Sequence, residues 1–464
     1  MTTLVWFRDD LRVHDHPALH EAMQAGEGSH AVALYVLDEV SPGVRPLGGA
    51  ARWWLHHSLE HLAGELSALG VELLVREGPA NRVVREVVEA TGSSAVLWNR
   101  RYGGPERDID ARLKHELRER GVAAHSFFAN LLIEPWHVAT QAGTPYRVYG
   151  AFRRALGERL RPDLPLPAPS SQRGGDASPP ASSRSTSLDA LLAENISVLD
   201  HEPAWAGGLA RRWSPGTAHA HERLRVFLEG GLEGYAEGRD LPASDATSGL
   251  SPHLRFGELS PREVWHATHA AAAQQGLDPE KFLSEIIWRE FAWHTLYAAP
   301  DLATTNLNPR YEALGWITAS DAQTGPEAEL LQAWLEGRTG FGLVDAGMRE
   351  LWATGTMHNR VRMTAASLLT KNLGIDWRVG EAWFWDTLVD ADQASNPFNW
   401  QWVAGSGADA APYFRVFNPE RQAERFDPDG EYVERWAPDS LLIPPIVDLR
   451  ESRLAALARY DALP

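Results

Sequence analysis

From Thr3 to about Pro135, short β-branched and aliphatic runs alternate with amphipathic stretches. Leu4–Phe7, Ala31–Leu37, Glu72–Val75, Ala95–Trp98 and Ala124–Phe128 read as strands. Helical periodicity fills the gaps, most clearly over Ala50–Leu69 and Glu106–Arg120. This alternation predicts an α/β unit with a doubly wound, parallel, five-stranded sheet. Its first strand-to-helix connection, Arg8-Asp9-Asp10-Leu11-Arg12, holds no glycine, so the dinucleotide fingerprint is absent.

Pro162–Ser187 is rich in Pro, Ser, Gly and Ala and reads as an irregular linker. After Trp205 the pattern is helical throughout. Ser260-Pro261-Arg262-Glu263 is a capping box with proline at the first helical position. Asp278-Pro279 opens a further helix to about Tyr297, and others are expected at Val344–Ala353, His358–Leu373 and Val379–Val389. The expected organisation is an α/β domain over 1–135, a linker over 136–204, and a larger all-α domain over 205–464.

Length and charge change the picture next. A chain of 464 residues is long enough for two cores. It has no cysteine, which removes disulfides and thiolate chemistry and suits a cytoplasmic protein. No apolar run approaches a membrane span, and the N-terminus lacks a signal-peptide pattern. The formal net charge of −18 opposes diffuse binding to phosphates. Any nucleic-acid contact must come from a local arginine patch.

Three clusters carry candidate chemistry. Glu285, Trp288, Arg289 and Ala292 share one face of the helix from Pro279. In Met357–Met363, Asn359, Arg362 and Met363 share a face while Arg360 points elsewhere. The densest cluster is Asp390–Trp402, with two carboxylates, amides and two indoles. Its aspartates invite a hard cation, but no further ligands lie at metal-binding spacing, so no metal is expected. The 19 tryptophans are compatible with core packing, a redox relay or base stacking.

Taken together, these blocks resemble the DNA photolyase/cryptochrome family, most of all its class I-like cyclobutane pyrimidine dimer photolyases. The resemblance runs from Val5–Arg12 through Glu285–Phe291, Phe341–Met363 and Asp390–Trp402 to Ala410–Pro419. It implies an N-terminal domain for an antenna chromophore, either methenyltetrahydrofolate or 8-hydroxy-deazaflavin, with Glu106 near the folate-binding position. It also implies a helical domain that binds FAD. Tyr235, Thr247, Ser248, Leu250 and Ser251 would contact the phosphates and ribityl chain. Gly249 stands where many relatives have arginine, with Arg289 as the expected substitute cation.

At the flavin ring, Arg362 would pair with Asp390, Asp392 would accept from the ring edge, and Asn396 would sit opposite N5. An amide tolerates several redox states there, whereas a carboxylate would repel the anionic reduced flavin. The family acts on UV-damaged DNA as a monomer, with the lesion flipped out of the duplex. Trp288 and Trp402 would clamp the lesion, Glu285 and Asn359 would bond its polar edges, and Met363 would pack beneath. Arg239, Arg360 and Arg415 would hold phosphates. Trp400, Trp377 and Trp316 would relay electrons to the flavin. The other readings are a cryptochrome-like photoreceptor, a 6-4 photoproduct photolyase, and a flavin- or nucleotide-binding protein without a DNA substrate. Asn396 favours repair, and Met363 replaces the second lesion histidine of 6-4 enzymes.

Overall fold

A computed structural model describes residues 1–24, 30–171, 191–410 and 414–464. All five expected strands form: β1 (Thr2–Phe7), β2 (His30–Leu37), β3 (Glu72–Glu77), β4 (Ser93–Asn99) and β5 (Ala123–Phe127). They are parallel, in the order β3-β2-β1-β4-β5. Successive strand side chains point to opposite faces, so β1 serves two cores. Val5 and Phe7 pack with α1 (Pro17–Met23) and α2 (Gly49–Leu69), while Leu4 and Trp6 pack with α3 (Ala80–Thr91) and α4 (Gly104–Glu119). Burial on both faces explains the near-continuous apolar runs.

The glycine-free connection after β1 joins this sheet to the helical region. Leu11 N donates to Phe256 O at 3.0 Å, and Arg12 Nη1 to Gly257 O at 2.9 Å. Arg255 pairs with Asp9 at 2.7 Å, and Arg262 grips the fully buried Asp15 through both oxygens. These charges are paired within the protein, where removing one partner strands the other.

Parts of the expected linker are also packed. Tyr149–Arg159 is a helix (α5) whose Phe152 and Leu156 enter the core of the helical region. Asn195 bonds both Val75 N and Leu73 O on β3, extending the sheet edge. Residues 172–187 of the Pro/Ser-rich stretch lie outside the described residues.

In the helical region, Pro261–Gln275 opens with the expected reciprocal capping box between Ser260 and Glu263. The helices Glu280–Ala298, Gly342–Thr354, Trp377–Thr387 and Ser395–Ala404 follow. The expected His358–Leu373 helix is α-helical over Asn359–Ser367 and widens to a π turn at Leu368–Asn372. Among the described residues, no helix is long and apolar enough to cross a membrane.

Candidate active site

The helices enclose a cavity of about 1280 Å³. Every expected site residue lines it except Arg360, Trp377 and Trp316. The segments Tyr235–Arg239 and Thr247–Ser251 form one wall. Tyr235 is buried against Phe227 and Phe282, and burial holds its hydroxyl protonated. Gly249 takes a left-handed φ of +65°, and a Cβ there would meet Arg223 Nε at 2.7 Å. Arg223 supports this turn from below by donating to Ser248 O at 2.7 Å and Thr247 O at 3.2 Å. Arg289 lines the cavity but donates to Asn130 O, which ties it to the α/β domain. Arg212, which the sequence reading missed, also lines the cavity and pairs with Asp245 at 3.4 Å.

The Asp390–Trp402 cluster forms the opposite wall. Arg362 Nη2 donates to Asp390 Oδ2 at 3.0 Å, as expected, and Asp390 Oδ1 is left buried with no partner. An orphaned buried acceptor fits a bound group that donates a hydrogen bond. Asp392 Oδ1 accepts from Ala394 N and Ser395 N and so fixes the start of the Ser395–Ala404 helix. Asn396 Nδ2 donates to Glu381 O at 3.0 Å and Glu381 Oε1 at 2.8 Å. Glu381 is held in turn by Nη1 and Nη2 of Arg45, at 2.7 and 2.9 Å, and Arg45 lies over the Trp385 ring. Sequence reading found neither Glu381 nor Arg45.

At the open side, Trp288 stacks on Tyr149 with centroids 3.6 Å apart and planes 5° from parallel. Tyr149 donates to Ser284 O, so Trp288 is braced by its own helix and by α5. Such a stack contributes roughly 1 kcal/mol beyond its buried area. Glu285 is ion-paired with Arg239, Asn359 Nδ2 lies 3.9 Å from Met363 Sδ, and Arg415 sits over the Trp402 ring. Arg360 instead pairs through two nitrogens with Asp240, at 3.0 and 2.7 Å, away from the cavity lining. Its charge is committed within the protein. His358 is pushed down to about 4 by burial and is neutral at neutral pH. Its Nδ1 accepts from Arg360 N and its Nε2 faces Arg239 O at 2.9 Å.

Trp400 is buried at the cavity wall, edge-on to Phe384 and Trp334 at 4.9 and 6.3 Å. A Cβ on Gly380 would clash with its ring. Trp377 lies one turn before Gly380, fully buried, with Nε1 donating to Asn306 Oδ1. Trp316 is half-buried, and its neighbour Ile317 pairs with Ile375, two residues before Trp377. The three expected indoles therefore come from segments that meet. The cavity lining carries eight Lys/Arg side chains against six carboxylates, so its local balance is positive in a chain of net −18.

A family model described as "DNA photolyase" matches residues 3–170, and one described as "FAD binding domain of DNA photolyase" matches 282–444. The deoxyribodipyrimidine photo-lyase of Agrobacterium fabrum is 46% identical over 94% of this chain and 87% of its own length. The chain belongs to the DNA photolyase family. It is also 36% identical to Cryptochrome-1 of Arabidopsis thaliana, over 95% of this chain and 63% of that protein. The crystal structure of a bacterial class III photolyase from Agrobacterium tumefaciens is similar with a TM-score of 0.87 and 42% identity, covering 99% of this chain and 97% of that one. Family membership brings FAD as the cofactor, and the orphaned Asp390 acceptor, the Arg362 pair and the hydroxyl-rich turn suit its ring and its phosphates.

Proposed function

We propose that this protein is a light-dependent DNA-repair lyase that splits cyclobutane pyrimidine dimers in UV-damaged DNA. The observation that carries the reading is that Asn396, Glu285, Asn359, Met363, Trp288 and Trp402 line one cavity with the FAD-binding residues. FAD, when bound and reduced, supplies the light-driven electron that opens the dimer. The chain's own residues do the placement. Tyr235, Thr247, Ser248, Leu250 and Ser251 hold the phosphates and ribityl chain, while Arg362, Asp390 and Asp392 fix the ring. Both bonds of the Asn396 amide nitrogen go to Glu381, so its carbonyl oxygen is left to accept from the ring. Trp288 and Trp402 stack on the flipped bases and exclude water, Glu285 and Asn359 bond the pyrimidine edges, and Met363 packs beneath. Arg415 meets a flanking phosphate, while Arg239, which lines the cavity paired with Glu285, holds that carboxylate toward the lesion. Trp400 and Trp377, with Trp316 beyond, supply electrons to the cavity from the protein side.

A 6-4 photoproduct activity needs a histidine free to act in the lesion pocket. Both nitrogens of His358 are engaged by backbone groups, and Met363 stands at the second position, which supports the cyclobutane reading. The second chromophore, a methenyltetrahydrofolate or an 8-hydroxy-deazaflavin, is assigned to the domain boundary at Glu106. That carboxyl is buried, with Oε1 bonded to Gln393 and Oε2 unpartnered. We read the protein as a cytoplasmic monomer, in keeping with a DNA substrate and a cysteine-free sequence.

The test is direct. The purified protein should show flavin absorption and remove thymine dimers from DNA under blue light but not in the dark. Flavin absorption without light-dependent dimer loss would leave the cryptochrome-like reading in its place.

A further inference from the structure

A cluster outside this site lies on the solvent face of α2. His56 and His57 stand four and three residues before Glu60, so all three side chains meet over one turn. One donor atom from each lies within 4.8 Å of the other two. His56 Nε2 is 3.6 Å from Glu60 Oε1, and His57 Nδ1 is 3.3 Å from Glu60 Oε2. The outward nitrogens are also engaged, by a different segment. His57 Nε2 faces Glu202 Oε2 at 3.4 Å, and His56 Nδ1 faces Ser197 Oγ at 3.5 Å. Glu202 is itself anchored, because Trp53 Nε1 donates to its other oxygen at 2.7 Å.

We propose that His56, His57 and Glu60 form a binding site for a divalent transition-metal ion of the zinc class. Two imidazoles and a carboxylate are a donor set that zinc takes, with water in the fourth position. The outward contacts matter as much as the ligands. With an ion bound, the His57 proton would sit on Nε2, facing Glu202 at 3.4 Å, and the Nδ1 lone pair would turn to the ion in place of its hydrogen bond to Glu60 Oε2. Ser197 does the same for His56, leaving Nε2 as the ligand. Carboxylate and hydroxyl partners on the far ring nitrogens fix tautomer and orientation in this way. An ordinary surface ion pair on a helix needs no such outer partners. The ion would fasten the 197–202 segment to α2, since Ser197 and Glu202 both bear on its ligands.

The FAD-loaded protein, stripped of metal with a chelator, is titrated with Zn²⁺ in competition with a chromogenic indicator. One equivalent should bind per chain. His56→Ala and Glu60→Ala should each weaken it at least tenfold, and Glu202→Gln about tenfold, the usual cost of losing an outer-shell partner. His61→Ala, a neighbouring surface histidine beside His219, should change nothing. Zinc should also raise the unfolding midpoint of the wild type but not of His56→Ala. These side chains are exposed or half-buried, so flavin content and secondary structure report whether a variant is still folded. Equal zinc affinity in wild type and His56→Ala, or equal weakening by His61→Ala, would overturn the proposal.

Discussion

The side-chain amide of Asn396 is locked to Glu381, with Nδ2 3.0 Å from the backbone oxygen and 2.8 Å from Oε1. Glu381 is buried and held by Arg45, which comes from the connection between β2 and α2. The α/β domain thus fixes an amide in the cavity wall, at the proposed flavin site, through one carboxylate. Glu381→Ala removes the side-chain acceptor and leaves the backbone one, so it should loosen the amide. Photoreduction of bound flavin should slow by up to about tenfold, the scale of one hydrogen bond to a charged group, with flavin content unchanged. Asn396→Asp should prevent accumulation of the reduced form, because a carboxylate there repels its negative charge. Absorption spectra recorded during blue-light illumination measure both effects. Unaltered photoreduction in Glu381→Ala would mean that Asn396 is oriented without it.

Much of this site was legible because its residues come in short blocks with helical spacing. Glu285, Trp288 and Arg289 were placed on one face by counting, and the pairing of Arg362 with Asp390 came with the family resemblance. Glu381 was not legible. It sits in an aromatic-rich helix that also carries Asp386, where a carboxylate reads as solvent-facing, and its partners are 15 and 336 residues away. Tyr149 fell inside the expected linker, yet it is the stacking partner of Trp288. The fates of the arginines were equally hidden. Arg360 and Arg415 look alike in sequence, but Asp240 engages the first while the second faces the cavity. Long-range pairing decides such cases, and periodicity carries no information about it.

That distinction has a consequence for DNA binding. Arg415→Ala should weaken binding about equally for all sequences and reduce the salt slope of log K by about 1, the value for one phosphate contact. Arg360→Ala should leave the slope unaltered, because its charge is spent on Asp240. Fluorescence anisotropy with dimer-containing duplexes at several salt concentrations separates the two. Equal slopes for both variants would place the phosphate contact elsewhere on the rim.

Glu290 gives a pH dependence whose sign can be worked out. It is fully buried beside the loop after β5, where it accepts from Leu132 N at 2.9 Å. Its other oxygen has no hydrogen-bond partner and faces Arg289 Nη1 at 3.6 Å. Burial pushes its carboxyl up to about 7, against the opposing pull of Arg289. The folded protein therefore keeps this proton in a range where the unfolded chain has already released it. Stability from the neutral form is complete below the ordinary carboxyl value near 4.5 and is lost as pH rises through about 7. The total is on the order of 3 kcal/mol, from the size of the shift. Glu290→Gln keeps an acceptor for Leu132 N and cannot ionise. It should be less sensitive to pH than the wild type between 5 and 8 and more stable at pH 8, as urea unfolding at several pH values would show. Parallel pH profiles for the two proteins would mean that Glu290 stays charged in the fold, with Arg289 as its partner.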